Sequence, residues 1–306
     1  MKIVKNICLF SLLALMFFQC SSDDNSGNSF VTRDRDEVRD ENNIDILDFL
    51  ESHYISFEEN PNNPNFQQIR FSPLEDIDEQ DPPEDDTPIK DSPFLRLKTI
   101  THFDLDYDVY YLVFREGATE QRQPTFADSV LITYEGRTIN NNPFDASPNP
   151  IWFDLTNTVR GFSVGMTDLR GATSFTLNPD GTGTFSDDFG IGAVFIPSGI
   201  GYFATPPIGS GIGAYEPIIF TYQLYRSRLT DHDRDGIPSF MEDINNTGRV
   251  DDVDTNGNGF PNYLDADDDG DGVPTRDEII IEEDGTIIFP DSNGNGTPDY
   301  LDPTYP

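Results

Sequence analysis

Four twelve-residue segments near the C-terminus share one pattern, and it constrains that part of the fold more than any other feature of the sequence. The segments are DHDRDGIPSFME (231–242), DTNGNGFPNYLD (254–265), DDDGDGVPTRDE (267–278) and DSNGNGTPDYLD (291–302). Each has Asp or Asn at positions 1, 3 and 5, Gly at 6, Pro at 8 and a carboxylate at 12. Alternate residues bring three oxygens to one side of a loop, and Gly at position 6 permits the sharp turn that this requires.

Such a loop is suited to calcium, which takes six to eight hard oxygen ligands, and the spacing matches the EF-hand loop. Loops two and four carry Asn at positions 3 and 5, so we predict weaker binding there. The predicted ligands are Asp231, Asp233, Asp235, Glu242, Asp254, Asn256, Asn258, Asp265, Asp267, Asp269, Asp271, Glu278, Asp291, Asn293, Asn295 and Asp302. We expect the calcium to be structural.

The charge of this tail predicts that calcium binding and folding are coupled. Residues 229–306 hold 21 acids and three bases. Each like-charge pair near 4 Å costs about 1–4 kcal/mol, depending on the local dielectric, so a calcium-free tail should be expanded. The alternative is a solvated, disordered acidic tail, which leaves the recurring Gly at position 6 unexplained.

The surroundings of the loops differ from those of EF-hands. The loops start at residues 231, 254, 267 and 291 and carry an internal Pro, which leaves no room for flanking helix pairs. The pattern resembles thrombospondin type 3 repeats. That resemblance implies a tail over 229–306 that wraps calcium ions, with little regular secondary structure and almost no hydrophobic core.

The charge of the whole chain limits its partners. There are 56 Asp and Glu against 19 Lys and Arg, a net charge of −37. This balance disfavours nucleic acid and anionic lipid headgroups and favours divalent cations. The chain also has 24 Phe and 12 Tyr, which is too many for a wholly disordered protein.

The first twenty residues have the layout of a signal peptide. Lys2 and Lys5 precede an apolar run over 7–18, and Cys20 follows. Cys8 is the only other cysteine, so the remainder of the chain has no disulfide. The segment resembles a Bacteroidetes lipoprotein precursor. The resemblance implies a signal peptide over 1–19, lipidation of Cys20 and a lipid anchor in the outer membrane of the cell envelope, with periplasmic or surface orientation left open. The alternative is a cleaved secretory peptide with an incidental cysteine.

Three segments connect this start to the central region. Residues 20–40 are polar and predict a tether, and 61–98 are rich in Pro and acids and predict a linker. Between them, 41–60 predict one amphipathic helix capped by Asn43. Its expected apolar face comprises Ile44, Leu47, Leu50 and Tyr54.

The central region, 99–228, has the period of two that is typical of strands. Candidate strands lie in 108–117, 128–139, 171–179, 192–199 and 216–226, with a helical turn after Phe162. We predict an α+β, mainly β fold in which an antiparallel sheet wraps a short helix.

Five motifs in this region occur in the order seen in FKBP-type peptidyl-prolyl isomerases, which the region resembles. They are Val130/Ile132–Tyr134–Gly136, Phe144–Asp145–Ser147, Val159–Gly161–Phe162–Gly165–Met166, Ile196–Pro197–Tyr202 and Ile219–Phe220. The resemblance implies an FKBP-like fold and a prolyl-binding pocket made of Tyr134, Phe144, Asp145, Val159, Phe162, Tyr202, Ile212 and Phe220. Phe162 stands where the family usually has Trp, which leaves open whether the pocket turns over its ligand or only binds it.

Such an activity needs no nucleophile and no cofactor. A prolyl amide crosses a barrier of about 18–20 kcal/mol because twisting removes its resonance. A dry aromatic pocket with a well-placed dipole lowers this barrier by stabilising the twisted amide. We therefore predict an envelope isomerase that assists protein folding and acts on prolyl-containing segments. The alternative is a non-catalytic peptide-binding or adhesion lipoprotein that uses the same domain for docking.

Overall fold

A computed structural model describes residues 32–58, 68–78, 80–83, 85–179 and 183–305. Residues Arg33–Pro306 form one unit of the chain. The predicted signal peptide and Cys20 lie outside the described residues. Within the described ranges, no helix has both the length and the apolar run that crossing a membrane requires.

The first helix, α1 (Arg35–Ser52), begins earlier and ends earlier than the predicted 41–60, and it occupies the end of the predicted tether. Asp34 caps it by accepting a 2.8 Å hydrogen bond from the backbone N–H of Asp36. The prediction of its apolar face was wrong apart from Leu50. Ile44 and Leu47 are 57% and 40% exposed. The buried residues are Val38, Asn42, Ile46, Phe49 and Leu50.

A polar residue on the buried stripe explains this error. The side chain of Asn42 donates to the carbonyl of Tyr215 at 2.9 Å and accepts from the N–H of Ser198 at 2.7 Å. Both halves of the amide are therefore satisfied by loops of the central domain, and a polar residue can be buried there. Tyr54, which was predicted to extend the helix, lies instead in strand β1 (His53–Glu58). This strand pairs with β2 (Gln68–Pro73) inside the predicted linker.

The central domain is a six-stranded antiparallel sheet, which confirms the mainly β, α+β class. Its strands in spatial order are β3 (Leu95–His102), β4 (Leu105–Arg115), β9 (Gly190–Ile196), β10 (Ile218–Arg228), β5 (Ser129–Thr138) and β6 (Pro143–Asp154). Four candidate strands match β4, β5, β9 and β10. The fifth, 171–179, contributes only the short strand β7 (Phe175–Leu177), which pairs with β8 (Gly183–Phe185) outside this sheet.

The sequence did not reveal the two edge strands. The N-terminal half of β3 lies in the predicted linker, and β6 lies where a turn was expected. Three of the twelve residues of β6 are proline, namely Pro143, Pro148 and Pro150. Proline lacks an N–H and is tolerated in sheets at edges and bulges, so its presence argued against a strand. The register of β6 shifts opposite the stretch from Ile132 to Tyr134, where it accommodates Pro148 and Pro150.

A helix covers each face of the sheet. The short helix α2 (Phe162–Met166) packs on one face, against residues such as Val194 and Tyr222. Helix α1 packs on the other face, against residues such as Phe195 and Tyr225. The prediction included only the first of these layers. The second layer connects α1 to the sheet that carries the candidate prolyl pocket.

The tail after Arg228 has short turns of helix and two small elements. These are α3 (Thr275–Glu278) and the hairpin of β11 (Ile280–Ile281) with β12 (Ile287–Ile288). Its buried apolar cluster consists of Ile237, Ile279 and Tyr300. A core this small agrees with the predicted shortage of hydrophobic burial, and burial alone cannot hold the tail together.

The tail contacts the central domain through polar groups. His232 Nε2 lies 2.9 Å from a carboxylate oxygen of Asp154, and Arg160 donates to the carbonyl of Thr247 at 2.7 Å. Beside these contacts is a cavity of about 680 Å³, lined in part by His102, Arg160 and Arg249.

His102 in this cavity predicts a pH effect on stability. Burial, and then the charges of Arg160, Arg249 and Arg35, lower its pKa from 6.5 to about 4, whereas Asp251 opposes the shift. The native state therefore binds fewer protons than the unfolded state between pH 6.5 and 4, and stability falls as the pH falls through this window. With solvent screening, we expect His102→Gln to remove about 1–2 kcal/mol of the pH dependence of unfolding in denaturant titrations. Identical pH dependence in the two proteins would contradict this prediction.

Candidate functional site

The candidate prolyl pocket is built around Phe220 of β10. Its ring centroid lies 5.0 Å from that of Phe162 in α2, 5.5 Å from Phe144 in β6 and 6.1 Å from Tyr134 in β5. The contacts with Phe162 and Phe144 are edge-to-face, the arrangement that aromatic pairs favour. Three strands and α2 therefore all contribute aromatic side chains around Phe220.

All eight predicted pocket residues belong to this assembly. Tyr134, Phe162, Ile212 and Phe220 are buried members of one cluster, and Phe144, Val159 and Tyr202 are partly buried and pack against it. Asp145 is exposed beside the cluster. Burial thus decreases from a dry floor to a half-buried rim.

The polar groups at the rim are held in place. The hydroxyl of Tyr134 donates a 2.7 Å hydrogen bond to Asp145 Oδ2. Burial, and then this hydrogen bond, raise the pKa of Tyr134. Burial and the charge of Asp145 also raise the pKa of Tyr202. Both phenols therefore stay protonated at neutral pH, and Asp145 presents a fixed negative charge at the mouth of an apolar cluster.

Close backbone packing places Phe162 at the floor. Gly161 donates from its N–H to the carbonyl of Ile200 at 3.0 Å. A Cβ on Gly161 would lie 2.5 Å from Cγ2 of Ile196, so only glycine fits at this point. Among the described residues, the backbone N–H of Val159 has no hydrogen-bond partner. A free donor therefore lies next to the floor.

The sequence did not identify one aromatic side chain of this assembly. Phe153 of β6 lies 5.1 Å from Tyr134 and 5.9 Å from Phe162, measured between ring centroids. It precedes Asp154 at the end of a strand that was not predicted. A correct assignment of β6 would have placed Phe153 on the same face as Ile151, and only this alternation could have indicated its role.

The four C-terminal loops share one backbone geometry. The Gly at position 6 has a positive φ in each loop, between 93° and 106°. In loop one, Asp231 accepts from the N–H groups of Arg234 and Gly236 at 2.7 and 3.2 Å. The carboxylate at position 1 makes the contact with the position 6 N–H in all four loops. Glycine is required here because other residues rarely adopt this φ.

In loops one and three the structure brings together the predicted carboxylates at positions 1, 3 and 5. Ligand atoms of Asp231, Asp233 and Asp235 lie within 4.8 Å of one another. The same holds for Asp267, Asp269 and Asp271. Oxygens bound to one calcium ion at 2.3–2.6 Å can be at most about 5 Å apart, so each group fits one coordination sphere.

Many of these oxygens are buried without a hydrogen bond. In the described part of the chain the unpartnered buried oxygens include those of Asp233, Asp235, Glu242, Asp268, Asp269, Asp271 and Glu278. Burial and neighbouring carboxylates raise the pKa of Asp233 to about 7, and burial first of all raises that of Asp235 to about 6. Two such charges 4.8 Å apart repel by about 3–4 kcal/mol at an effective dielectric of 20. The donor set is hard, anionic and unsatisfied, which fits calcium.

In loops two and four the carboxylate at position 12 accepts hydrogen bonds from side chains of its own loop. In loop two, the amides of Asn256 and Asn258 donate to Asp265 at 2.9 and 2.7 Å. In loop four, Asn293 and Asn295 both donate to Asp302 at 2.7 Å. These loops close through internal hydrogen bonds, which is consistent with the predicted weaker binding of calcium.

Comparison with known proteins gives three results. Residues 232–288 match the family model described as BamM C-terminal, which overlaps the first three loops. The chain is similar in structure to a peptidyl-prolyl cis-trans isomerase from Pseudomonas syringae pv. tomato, with 18% identity over 45% of this chain and 84% of that one, and a TM-score of 0.33. It is similar to FkpA from Escherichia coli with the same identity, coverage of this chain and TM-score, over 53% of FkpA. No curated protein matches it in sequence.

Proposed function

We propose that the central domain binds prolyl-containing segments of polypeptides and catalyses cis-trans isomerisation of the prolyl amide. The observation that carries this proposal is the joining of a buried aromatic floor to the fixed Asp145–Tyr134 pair at its rim. A proline ring is apolar and fits such a floor, whereas the amide before it is polar and belongs at the rim. The reaction makes and breaks no covalent bond. It consists of rotation about the amide C–N bond.

The geometry suggests how the barrier is lowered. Burial of the proline ring against Phe162 and Phe220 removes water from the amide. The planar amide is strongly polar, so this loss of water destabilises it more than it destabilises the twisted amide. The N–H of Val159 can donate to a ligand carbonyl, and Asp145 supplies a negative charge held in place by Tyr134. Groups that are already in position need no reorganisation when the amide twists.

A prolyl isomerisation assay on the full chain tests this proposal. We expect acceleration of cis-trans exchange in a short prolyl peptide, and we expect Asp145→Ala to lower kcat/KM by about 10- to 100-fold, the equivalent of about 1.4–2.8 kcal/mol. Asp187→Ala is the matched control, because Asp187 is 85% exposed at its side chain and lies outside the pocket.

The alternative remains a non-catalytic docking domain. The observation that favours it is that Phe162 stands where the family that the domain resembles usually has Trp. Binding of the peptide in calorimetry without any acceleration of exchange would establish docking and contradict the isomerase. Absence of both binding and acceleration would contradict both functions.

We further propose that the tail binds calcium as a structural ion. Loops one and three hold it most tightly, through Asp231, Asp233, Asp235 and Glu242 and through Asp267, Asp269, Asp271 and Glu278. The buried, unpartnered carboxylates of these loops support this proposal. Calcium supplies positive charge that lets these side chains pack, and it takes no part in the isomerisation. Loops two and four contribute weaker sites.

The remaining assignments are proposals from the sequence. We infer that Cys20 carries a lipid that anchors the protein in the outer membrane, and that the domain assists the folding of envelope or secreted proteins. Incorporation of a labelled fatty acid into the wild type and its loss in Cys20→Ser would test the anchor. We infer that nucleic acid is not a partner, on the basis of the net charge of −37.

A further inference from the structure

A third group of carboxylates joins two loops that are not adjacent in sequence. Ligand atoms of Asp235, Glu242 and Asp268 lie within 4.8 Å of one another. Asp235 and Glu242 occupy positions 5 and 12 of loop one, whereas Asp268 occupies position 2 of loop three. Position 2 is not a ligand position in the repeated pattern, so the sequence did not indicate this group.

These side chains are buried, and several of their oxygens have no internal partner. Asp235, Glu242 and Asp268 are each 1% exposed. Within the described residues, neither carboxylate oxygen of Glu242 has a hydrogen-bond partner, and Asp235 has one free oxygen. A buried carboxylate without partners is strongly unfavourable unless a cation compensates it.

Loop three alone has an acid at position 2. The equivalent residues are His232, Thr255 and Ser292 in the other loops. These three bond to the side chain at position 9 of their own loop, as in the 2.8 Å contact of His232 with Ser239. Asp268 also bonds to position 9 of its own loop, through Thr275, but its carboxylate lies in addition in the group formed with loop one.

We propose that Asp235, Glu242 and Asp268 hold an additional calcium ion that clamps loop one to loop three. This inference rests on the proposed calcium binding of the tail. Asp235 belongs to this group and to the group with Asp231 and Asp233, so it bridges two ions. Five carboxylates converge on this region, and a second divalent ion neutralises most of the charge that a single ion would leave.

Native mass spectrometry of the full chain in calcium, with the bound ions counted, tests the clamp. We expect Asp268→Ala to bind one ion fewer than the wild type. Asp268→Asn keeps the volume and one oxygen, and its affinity for one ion should fall at least 10-fold in a calcium titration. Asp277→Asn, an exposed residue of the same loop, should retain the wild-type count.

A double variant tests whether Glu242 and Asp268 bind the same ion. Glu242→Gln combined with Asp268→Ala should lose no more ions than the greater of the two single losses, because both side chains serve the same ion. Wild-type protein that binds no calcium overturns the proposed calcium tail and this inference with it. A wild-type count of ions retained in Asp268→Ala, with normal circular dichroism, overturns the clamp alone.

Discussion

Removal of calcium is expected to unfold the tail over 229–306 while leaving the central sheet folded. At a calcium concentration about 1,000 times the Kd, a bound ion stabilises the folded state by about 4 kcal/mol. Without calcium, the buried carboxylates of loops one and three repel one another, and the three-residue apolar cluster is too small to compensate. We therefore expect backbone amides such as those of Ile237 and Val273 to lose about 1,000-fold in protection from hydrogen exchange in EDTA.

Two controls make this measurement specific. The amide of Tyr222 in the centre of the sheet should exchange at the same rate with and without calcium. Magnesium should restore less protection than calcium, because it demands a stricter octahedral shell at shorter distances. Unchanged protection of Ile237 and Val273 after complete chelation would show that calcium does not hold the tail together.

Truncation of the pocket floor is the second large expected effect. Phe162 is 2% exposed and contacts the rings of Phe220, Tyr222 and Phe153. Phe162→Ala leaves a cavity among these rings and should lower the free energy of unfolding by about 3–5 kcal/mol in urea titrations. Phe260→Ala is the matched control, since Phe260 is 61% exposed in loop two and should change stability by less than about 0.5 kcal/mol.

A second substitution tests how much of this effect comes from the volume of the side chain. Phe162→Leu retains part of the volume and should cost less stability than Phe162→Ala. If Phe162→Ala proves as stable as the wild type, the ring is not packed as described, and the floor of the proposed pocket would have to be assigned to other residues.

Predictions from the sequence agree best with the structure where the local backbone geometry permits only one type of residue. The Gly at position 6 of each twelve-residue loop was assigned from its spacing, and all four adopt the positive φ that the turn requires. The eight residues predicted for the prolyl pocket also lie together, seven in one apolar cluster and Asp145 beside it, although their role as a pocket stays a prediction. In both cases the information lies within short segments.

The failures concern contacts between distant segments. The buried face of α1 includes Asn42, whose partners Tyr215 and Ser198 lie more than 150 residues away in sequence. No period in the helix could indicate that a polar residue is buried there. Asp268 was overlooked for the same reason, because its role depends on packing of loop three against loop one.

The prolines of β6 have a consequence for how copies of this protein behave toward one another. An open sheet edge offers unpaired N–H and C=O groups to the edge of a second molecule, and this is a common route to aggregation. Pro143, Pro148 and Pro150 remove three donors from β6, and the shift of register near Pro148 and Pro150 makes the edge irregular. Strand addition by a second copy is therefore discouraged at this edge of the sheet.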